Sequence, residues 1–438
     1  MNQRATRMKW GQRALLLVLA MIAAPVLATN VTQWRNNRDG IYNETGLLKS
    51  WPEGGPTMIW SVQNAGAGYS SPIIVDERLY ITGVENRREF VSCYDLTGKQ
   101  LWRTEYSDAW GSTYPEARTT PTYVNGVLYM IGGGGSAAAV NAGNGELIWS
   151  KDVFAKYQGS PGRWGIAESP LVYDGRMIIT TGGPQTTMIA LDTKDGSLAW
   201  KSISLNEDTA YVSPLMINHN GVRQIVGVTS HSIIGVNPEN GTIVWRVNYN
   251  AIAFENNANK SRWTINCNTP VFKDGRIFVT SGYDHAGVML QLNDDASGIQ
   301  LVWKTDELDT HHGHVVLVDG YLYGSNWLNN RTGNWTCIDW KTGEKKYETE
   351  WHSKGSIIAA DGMLYLYEER QGHIGIARAT PEGLDVTGSL QINMGSQSHW
   401  SHPLISNKVL YVRRGEALMA FDIAAKPEVE SADEKAAD

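Results

Sequence analysis

One pattern recurs along most of this chain and limits the folds that it can adopt. A Ser/Thr-Pro pair precedes an apolar run, an Asp-Gly or Asn-Gly pair follows, and a second apolar run ends at a Thr-Gly type of turn and a Trp. The last part of the pattern is seen at residues 95–102, 144–149, 195–200, 240–245, 297–303 and 342–347. A period of about forty to fifty residues indicates one supersecondary unit repeated in space.

Each repeat contains two hairpin turns. The first is an Asn-Gly or Asp-Gly pair, whose residues tolerate the positive φ angles of a tight hairpin. These pairs are Asn125-Gly126, Asp174-Gly175, Asn220-Gly221, Asp274-Gly275, Asp319-Gly320 and Asp361-Gly362. Between the turns, runs such as 127–131 and 276–280 are rich in strand-forming residues. Four short strands per unit are typical of a propeller blade.

The number of repeats predicts an all-β, eight-bladed β-propeller of four-stranded antiparallel blades. The first strands are anchored at Pro72, Pro121, Pro170, Pro214, Pro270, His314, Ser356 and Pro403. The last repeat stops after its third strand, whereas residues 57–61 contain a Trp and have no preceding strands. We therefore expect this N-terminal strand to complete the last blade and close the ring, which leaves no open sheet edge there. The predicted propeller covers residues 57–423, and residues 29–56 form an N-terminal extension over the closure.

The Trp at the fourth strand of a repeat is expected to be structural. A large flat ring at a fixed repeat position packs between neighbouring blades and buries much apolar area. The residues predicted to dock in this way are Trp60, Trp102, Trp149, Trp200, Trp245 and Trp303.

The N-terminus predicts export. Four basic residues, an apolar run at 14–24 and small residues before position 29 form a signal peptide over residues 1–28. No Cys follows the predicted cleavage site, so we expect a periplasmic or secreted protein without a lipid anchor or a transmembrane segment.

The charge of the predicted mature chain disfavours two classes of partner. Without residues 1–28 the chain has 34 basic and 45 acidic residues, a net charge of −11, which disfavours binding to nucleic acid and to anionic membranes. Residues 424–438 are expected to be a disordered acidic tail, and the protein is expected to be a monomer.

The three cysteines show no metal-binding or haem-attachment spacing. Cys93 and Cys337 fall at equivalent strand positions, so we expect them to pack as small apolar groups. Cys267 lies in a polar loop, and the sequence leaves its pairing open.

The candidate site residues lie in the loops that precede the first strands. In a propeller these loops open at the central axis, and long loops on a rigid scaffold often carry function. Registered on the anchors, one set of side chains should converge on a central funnel, the default place for a ligand. These residues are Arg118, Glu168, Asn268, His312, Lys354, Trp400 and His402. Ion pairs and polar lining are the structural alternatives for the same residues.

A transition-metal site is a second hypothesis for the funnel. Imidazoles together with a carboxylate are suitable ligands for such ions. His311, His312 and His314 are close in sequence, and Glu168 is a possible carboxylate partner. His399 either joins this set or satisfies buried backbone groups.

The repeat resembles a known family. The Asp-x-x-Thr-Gly-x-x-x-Trp pattern, present at residues 95–102 with one spacer fewer, resembles the Trp-docking motif of quinoprotein alcohol dehydrogenase-like propellers. One branch of that family implies pyrroloquinoline quinone (PQQ) and calcium, with Glu168 and Asn268 as possible calcium ligands and Arg118 as the possible Arg near the quinone. The vicinal Cys pair of many such enzymes is absent here, and no Asp is an obvious base. The other branch is non-enzymatic and includes the lipoprotein subunit of the outer-membrane β-barrel assembly machine. Residues 34–41 also resemble the start of secreted PQQ-like propellers.

Three functions follow, and the sequence favours the first. It is a binding or scaffold module of the bacterial cell envelope, with an envelope protein or a small-molecule or carbohydrate ligand at the funnel. The first alternative is a PQQ-dependent dehydrogenase of alcohols or sugars. The second is a carbohydrate-active enzyme or binder that uses the His, Arg and Trp residues of the funnel.

Overall fold

The computed structural model describes residues 30–254 and 265–426. These residues form eight sheets arranged as an eight-bladed propeller, as the repeat predicts. Every blade has four antiparallel strands, and the seventh blade carries a fifth, parallel strand from the N-terminal extension. The predicted signal peptide and most of the predicted acidic tail lie outside the described residues. Among the described residues, no helix has the length and apolar character needed to cross a membrane.

Two strands and a short helical turn precede the first blade. They are α1 (Arg35–Arg38), β1 (Ile41–Tyr42) and β2 (Thr57–Val62). Two further short helices follow blades 2 and 4, namely α2 (Val153–Tyr157) and α3 (Tyr249–Ala253).

Blades 1 to 4 follow one another along the chain, and each sheet keeps its strands in chain order. Blade 1 comprises β3 (Ile73–Val75), β4 (Arg78–Glu85), β5 (Arg88–Asp95) and β6 (Gln100–Asp108). Blade 2 comprises β7 (Thr122–Val124), β8 (Val127–Ile131), β9 (Ser136–Asn141) and β10 (Leu147–Asp152). Blade 3 comprises β11 (Leu171–Tyr173), β12 (Arg176–Thr180), β13 (Met188–Asp192) and β14 (Leu198–Lys201). Blade 4 comprises β15 (Leu215–His219), β16 (Val222–Val228), β17 (Ser232–Val236) and β18 (Ile243–Asn248).

Blades 5 to 8 complete the circle. Blade 5 comprises β19 (Val271–Lys273), β20 (Arg276–Ser281), β21 (His285–Leu292) and β22 (Ile299–Thr305). Blade 6 comprises β23 (Val315–Val318), β24 (Tyr321–Ser325), β25 (Trp335–Asp339) and β26 (Lys345–Thr349). Blade 7 comprises β27 (Gly355–Ala360), β28 (Met363–Glu368), β29 (His373–Arg378) and β30 (Val386–Gln391). Blade 8 comprises β31 (Leu404–Ser406), β32 (Val409–Arg414), β33 (Ala417–Asp422) and β2.

The predicted ring closure is confirmed. Strand β2 pairs antiparallel with β33, and Trp60 lies opposite Ala420. The first and last parts of the propeller are therefore joined within one sheet, so the backbone groups of β33 that face β2 are paired.

The Trp side chains connect neighbouring blades. The indole N–H of Trp60 donates to the carbonyl of Leu96 (2.7 Å), and that of Trp149 donates to the carbonyl of Thr193 (3.0 Å). Each acceptor lies in the last hairpin turn of the next blade, and Trp200 and Trp303 repeat this arrangement. The ring of Trp102 packs over Gly145 of the next blade in the same way.

Trp245 lies at the same position of its repeat, but its indole N–H makes a different hydrogen bond. Its ring packs with Ile277 and Leu290 of blade 5, as expected for a residue between blades. Its indole N–H instead donates to Gln224 of its own blade (2.8 Å). The reason is local: Gly235 has no Cβ, which would overlap the Trp245 ring, so the indole lies flat against its own sheet.

All three cysteines are free and buried. Burial raises the pKa of the Cys93 thiol to about 11 and the pKa of the Cys337 thiol to about 12, as expected for cysteines packed as apolar groups. Cys267 is likewise a buried thiol, and burial raises its pKa to about 12.

The tryptophan docking predicts a specific response to a methyl group. Gly196 has a φ of +70°, and an added Cβ would lie 2.9 Å from Cε3 of Trp149. Gly175 of the same blade has the same φ of +70°, but the nearest atom would be 3.9 Å away. Gly175→Ala should cost about 1 kcal/mol of unfolding free energy from backbone strain alone. Gly196→Ala should cost a further ~1–3 kcal/mol because the docked indole must move.

Denaturant unfolding of the two variants beside the wild type measures this difference. Equal losses for Gly175→Ala and Gly196→Ala would contradict a stabilising role for the indole over the glycine turn.

Candidate functional site

A cavity of about 400 Å³ lies on the propeller axis, where the loops preceding the first strands converge. Its wall is largely aromatic, with a smaller set of polar side chains. The aromatic residues are Trp34, Tyr69, Tyr114, Trp164, Tyr211, Tyr283 and Trp400. The polar and charged residues are Arg118, Ser213, His311, His312, His314, Asn330, Glu369 and His402, and Ala167, Ile265 and Cys267 complete the lining.

The N-terminal extension enters the channel from the opposite face. Asn30 pairs with Asp76 at the first hairpin turn of blade 1, and Glu44 accepts the backbone N–H groups of Asn407 and Lys408 at the corresponding turn of blade 8. Between these two contacts the chain enters the axial channel of the propeller, and Trp34 lines the cavity. The extension therefore spans the ring rather than lying only over its closure, and it forms the floor of the cavity.

Arg35 holds this floor against blades 6 and 7. Its guanidinium donates to the carbonyl of Ile357 (2.6 Å) and to that of Val315 (2.8 Å), and it lies 3.0 Å from Nδ1 of His402. Burial lowers the pKa of Arg35 to about 10, so the side chain stays charged at neutral pH. A buried charge needs such partners, and the carbonyls at the inner ends of the blades supply them.

Arg38 makes the equivalent contact with blade 3. Its guanidinium donates to the carbonyls of Ser169 (3.0 Å) and Pro170 (2.7 Å). Arg35, Asn36 and Arg38 have φ angles of +52°, +58° and +69°. Non-glycine residues pay about 1–3 kcal/mol each for such conformations, and the surrounding contacts must compensate. Strain of this kind clusters at functional sites, which makes the extension part of the candidate site.

Two histidines stand on this floor. The ring of Trp34 meets His314 edge-on at 4.6 Å and His402 at 5.4 Å between centroids. Burial, reinforced by the charge of Arg35, lowers the pKa of both imidazoles well below the ordinary histidine value. His314 and His402 are therefore neutral in the folded protein at neutral pH.

Glu369 is the acidic group of the cavity. Its Oε2 lies 3.1 Å from Nε2 of His312, and its Oε1 accepts a hydrogen bond from the buried ammonium of Lys354. Burial alone would raise the pKa of this carboxyl, but the facing His312 and Lys354 lower it well below its usual value. Glu369 is thus an ionised carboxylate at neutral pH.

Trp400 organises the aromatic side of the cavity. Its ring lies 5.0 Å from Tyr69, 5.4 Å from Tyr114 and 5.2 Å from His312 between centroids. Tyr114 is 44 % exposed and lies at the mouth. Across the cavity, Arg118 donates to the backbone carbonyl of Trp164. Aromatic faces with a few fixed polar groups are suited to an apolar or aromatic ligand group.

The structure divides the predicted funnel residues into two groups. Arg118, His312, Trp400 and His402 line the cavity, together with His311 and His314. Glu168, Asn268 and Lys354 lie behind the wall. These three residues were predicted to bind a ligand in the funnel, but they are not among the residues that line the cavity.

Asn268 and Glu168 have structural partners instead. Asn268 donates to the carbonyl of His311 (2.7 Å) and accepts the N–H of His314 (3.1 Å), which fixes the histidine loop. The carboxyl group of Glu168 accepts the N–H of Thr180 at 3.1 and 3.2 Å. Burial raises the pKa of Glu168 to about 8, so this group is largely protonated at neutral pH.

These two residues do not fit the calcium and PQQ site that the family resemblance implied. A calcium ligand must offer an oxygen to the ion. The amide oxygen of Asn268 accepts the N–H of His314, and both carboxyl oxygens of Glu168 face the backbone N–H of Thr180. We therefore derive no redox step from this cavity.

The predicted metal set is also rearranged. His311 and His312 lie with Glu369, not with Glu168, and one ligand atom from each of the three lies within 4.8 Å of the others. His314 packs on Trp34, and Nδ1 of His399 lies 2.8 Å from the hydroxyl of Tyr367. The ring of His399 is therefore held by a side chain of blade 7, whereas the structural alternative proposed buried backbone groups as its partners.

Sequence reasoning missed Glu369 and the tyrosines. Glu369 directly follows β28, and the loop between the second and third strands of a blade opens on the same face as the loops that were searched. The position of Glu369 in such a loop could therefore have identified it as a candidate site residue. Tyr69, Tyr114 and Tyr211 lie in the searched loops before the first strands of blades 1, 2 and 4, so their loop position was the available signal, whereas Tyr283 lies between the second and third strands of blade 5. Residues 255–264, which include Arg262 and Trp263, lie outside the described residues.

Comparison with known proteins agrees with this architecture. A family model described as "Outer membrane protein assembly factor BamB" matches residues 87–332, more than half of the chain. The assembly factor BamB of Yersinia pestis is 22 % identical over 281 residues, which cover 62 % of this chain and 65 % of that protein. The match thus spans slightly less than two thirds of that relative.

Two solved structures share the fold. BamB from Moraxella catarrhalis superposes with a TM-score of 0.62 at 13 % identity, covering 84 % of this chain and 99 % of that one. A europium-containing methanol dehydrogenase gives a TM-score of 0.64 at 11 % identity, covering 87 % and 89 %. At these identities the likeness concerns the fold alone, and it includes both an assembly factor and a dehydrogenase.

The buried Glu168 predicts a pH dependence of stability. Its pKa rises from 4.5 to about 8 on folding, so the folded protein retains a proton that the unfolded chain releases as the pH rises through this window. Stability from this group is therefore lost with rising pH. Glu168→Gln keeps an acceptor for Thr180 and does not ionise. As the pH rises from about 6.5 to 8.5, the free energy of unfolding of this variant should therefore increase by about 1–2 kcal/mol relative to that of the wild type.

Urea unfolding across this pH range measures the effect. The exposed Glu146 provides a matched control, since Glu146→Gln should leave the pH profile parallel to that of the wild type. A parallel profile for Glu168→Gln as well would refute the protonated state of Glu168.

Proposed function

We propose that this protein, which belongs to the family of the outer membrane protein assembly factor BamB, is a binding scaffold of the cell envelope. Its partner is an envelope protein that inserts an apolar or aromatic side chain into the axial cavity. The proposal rests on one observation: the cavity is open at Tyr114, aromatic along its wall and closed at its floor by Trp34.

The size and lining of the cavity support this assignment. A volume of about 400 Å³ accommodates one or two large side chains of a partner segment. Buried aromatic anchors that fill such pockets supply most of the binding energy of many protein interfaces. Trp400 contacts Tyr69, Tyr114 and His312, so its ring is the surface that an entering side chain meets first.

The polar groups favour binding over redox chemistry. Arg118 and Glu369 place one charge of each sign at the wall, and His314 and His402 are neutral. These groups orient a ligand by hydrogen bonds, whereas the residues cast as calcium ligands point away from the cavity. The carbohydrate alternative rests on the same aromatic wall and stays a prediction.

Site-specific cross-linking tests this function. A photoreactive phenylalanine analogue at Tyr114, in the full-length protein expressed in its host, should give a discrete adduct with an envelope protein. The matched control is Leu101 on the outermost strand of blade 1, which is 43 % exposed against 44 % for Tyr114. The same analogue at Leu101 should give no such adduct. Trp400→Ala should reduce the Tyr114 adduct about tenfold, because the aromatic anchor surface is lost.

Two results would contradict the proposal. One is an equal adduct from Leu101 and Tyr114, which would indicate random encounter. The other is no protein adduct at Tyr114 together with a small molecule retained by the purified protein in native mass spectrometry, which would favour a sugar or cofactor site.

A further inference from the structure

We infer that His311, His312 and Glu369 form a binding site for a divalent transition-metal ion on the wall of the axial cavity. The site shares the cavity with the proposed partner, but it needs no partner to form. Its failure and the failure of the scaffold function are therefore distinguishable.

The three side chains converge from two blades. His311 and His312 precede the first strand of blade 6, and Glu369 follows the second strand of blade 7. One ligand atom from each lies within 4.8 Å of the others, and the His312 Nε2 to Glu369 Oε2 distance is 3.1 Å. Ligand atoms around a tetrahedral ion with bonds of about 2.0–2.1 Å are ~3.3 Å apart. Small side-chain rotations therefore bring the set to coordination geometry.

An unsatisfied polar atom marks the same place. Nδ1 of His311 is buried and has no hydrogen-bond partner among the described residues. Buried polar atoms normally have a partner, so an orphaned imidazole nitrogen beside a second imidazole and a carboxylate points to a missing ligand. His311 is also oriented by its neighbours, since its ring packs edge-on against Tyr283 at 4.8 Å and lies 4.4 Å from that of His312.

Lys354 orients the carboxylate of Glu369. Its ammonium binds Oε1 of Glu369, which leaves Oε2 directed at His312. Groups behind the ligands commonly orient them in this way in metal sites. Lys354 is a positioning residue in this arrangement.

The donor set selects the type of ion. Two imidazoles and one carboxylate suit zinc and other first-row transition metals, whereas calcium and magnesium prefer oxygen ligands. All three residues line the cavity, so the remaining coordination positions face its interior. A donor atom from the occupant of the cavity can complete the coordination sphere.

Zinc titration of the chelator-treated mature protein is the test. Calorimetry should detect about one zinc ion per chain, and cobalt should give the visible absorption of a tetrahedral site. His311→Ala and His312→Ala should each weaken zinc binding at least tenfold, and Glu369→Gln should do the same while keeping the shape of the side chain. Circular dichroism of each metal-free variant checks that it folds.

The control uses a second histidine pair. His352 and His373 stack with centroids 3.7 Å apart, outside the cavity, and His352 is exposed. His352→Ala should leave zinc binding unchanged. Loss of binding in His352→Ala, unchanged binding in the cavity variants, or no binding by the wild type would each overturn the inference.

Discussion

A ring of eight blades leaves a channel on its axis, lined by the backbone carbonyls at the inner ends of the blades. Each carbonyl needs a donor, because a buried polar group without a partner costs about 1–3 kcal/mol. Hydroxyl groups of the propeller, such as that of Thr122, serve some of these carbonyls, and a segment outside the blades supplies further donors. Arg35 serves blades 6 and 7, and Arg38 serves blade 3. The geometry of the cavity depends on this segment, residues 30–44, which we call the plug. Trp34 belongs to the plug and reaches the cavity because Arg35 and Arg38 fix the backbone next to it.

The plug also determines the chemistry above it. Burial, reinforced by the charge of Arg35, keeps His314 and His402 neutral, and Trp34 packs edge-on against both rings. Asn268 then fixes the loop that presents His311 and His312 to Glu369. A calcium site built from Asn268 and Glu168 would need free side-chain oxygens, and here both side chains accept backbone N–H groups instead. The fold alone does not decide the function, which depends on the side chains at the axis.

The repeat was sufficient to predict the fold, because turn pairs and Trp residues have local causes. Hairpin geometry requires residues such as Asp174-Gly175, and the missing fourth strand of blade 8 required a partner such as β2. The site was predictable only in part. His312 and Trp400 lie in a loop adjoining a recognisable anchor, so their direction followed from register. Glu369 and Tyr283 approach from loops between the second and third strands, and their meeting depends on the relative rotation of whole blades. Arg35 contacts residues 280 to 367 positions away, which no local pattern encodes.

Hydrogen–deuterium exchange of the Arg35→Ala variant tests most directly whether the plug holds the site. If the guanidinium ties the floor to blades 6 and 7, its removal should speed amide exchange in the cavity-wall segments 311–315 and 399–402. Exchange in β17 of blade 4, which the plug does not contact, should stay at the wild-type rate. Unchanged exchange in the cavity wall would show that the blades alone hold the site and would contradict the dependence on the N-terminal segment.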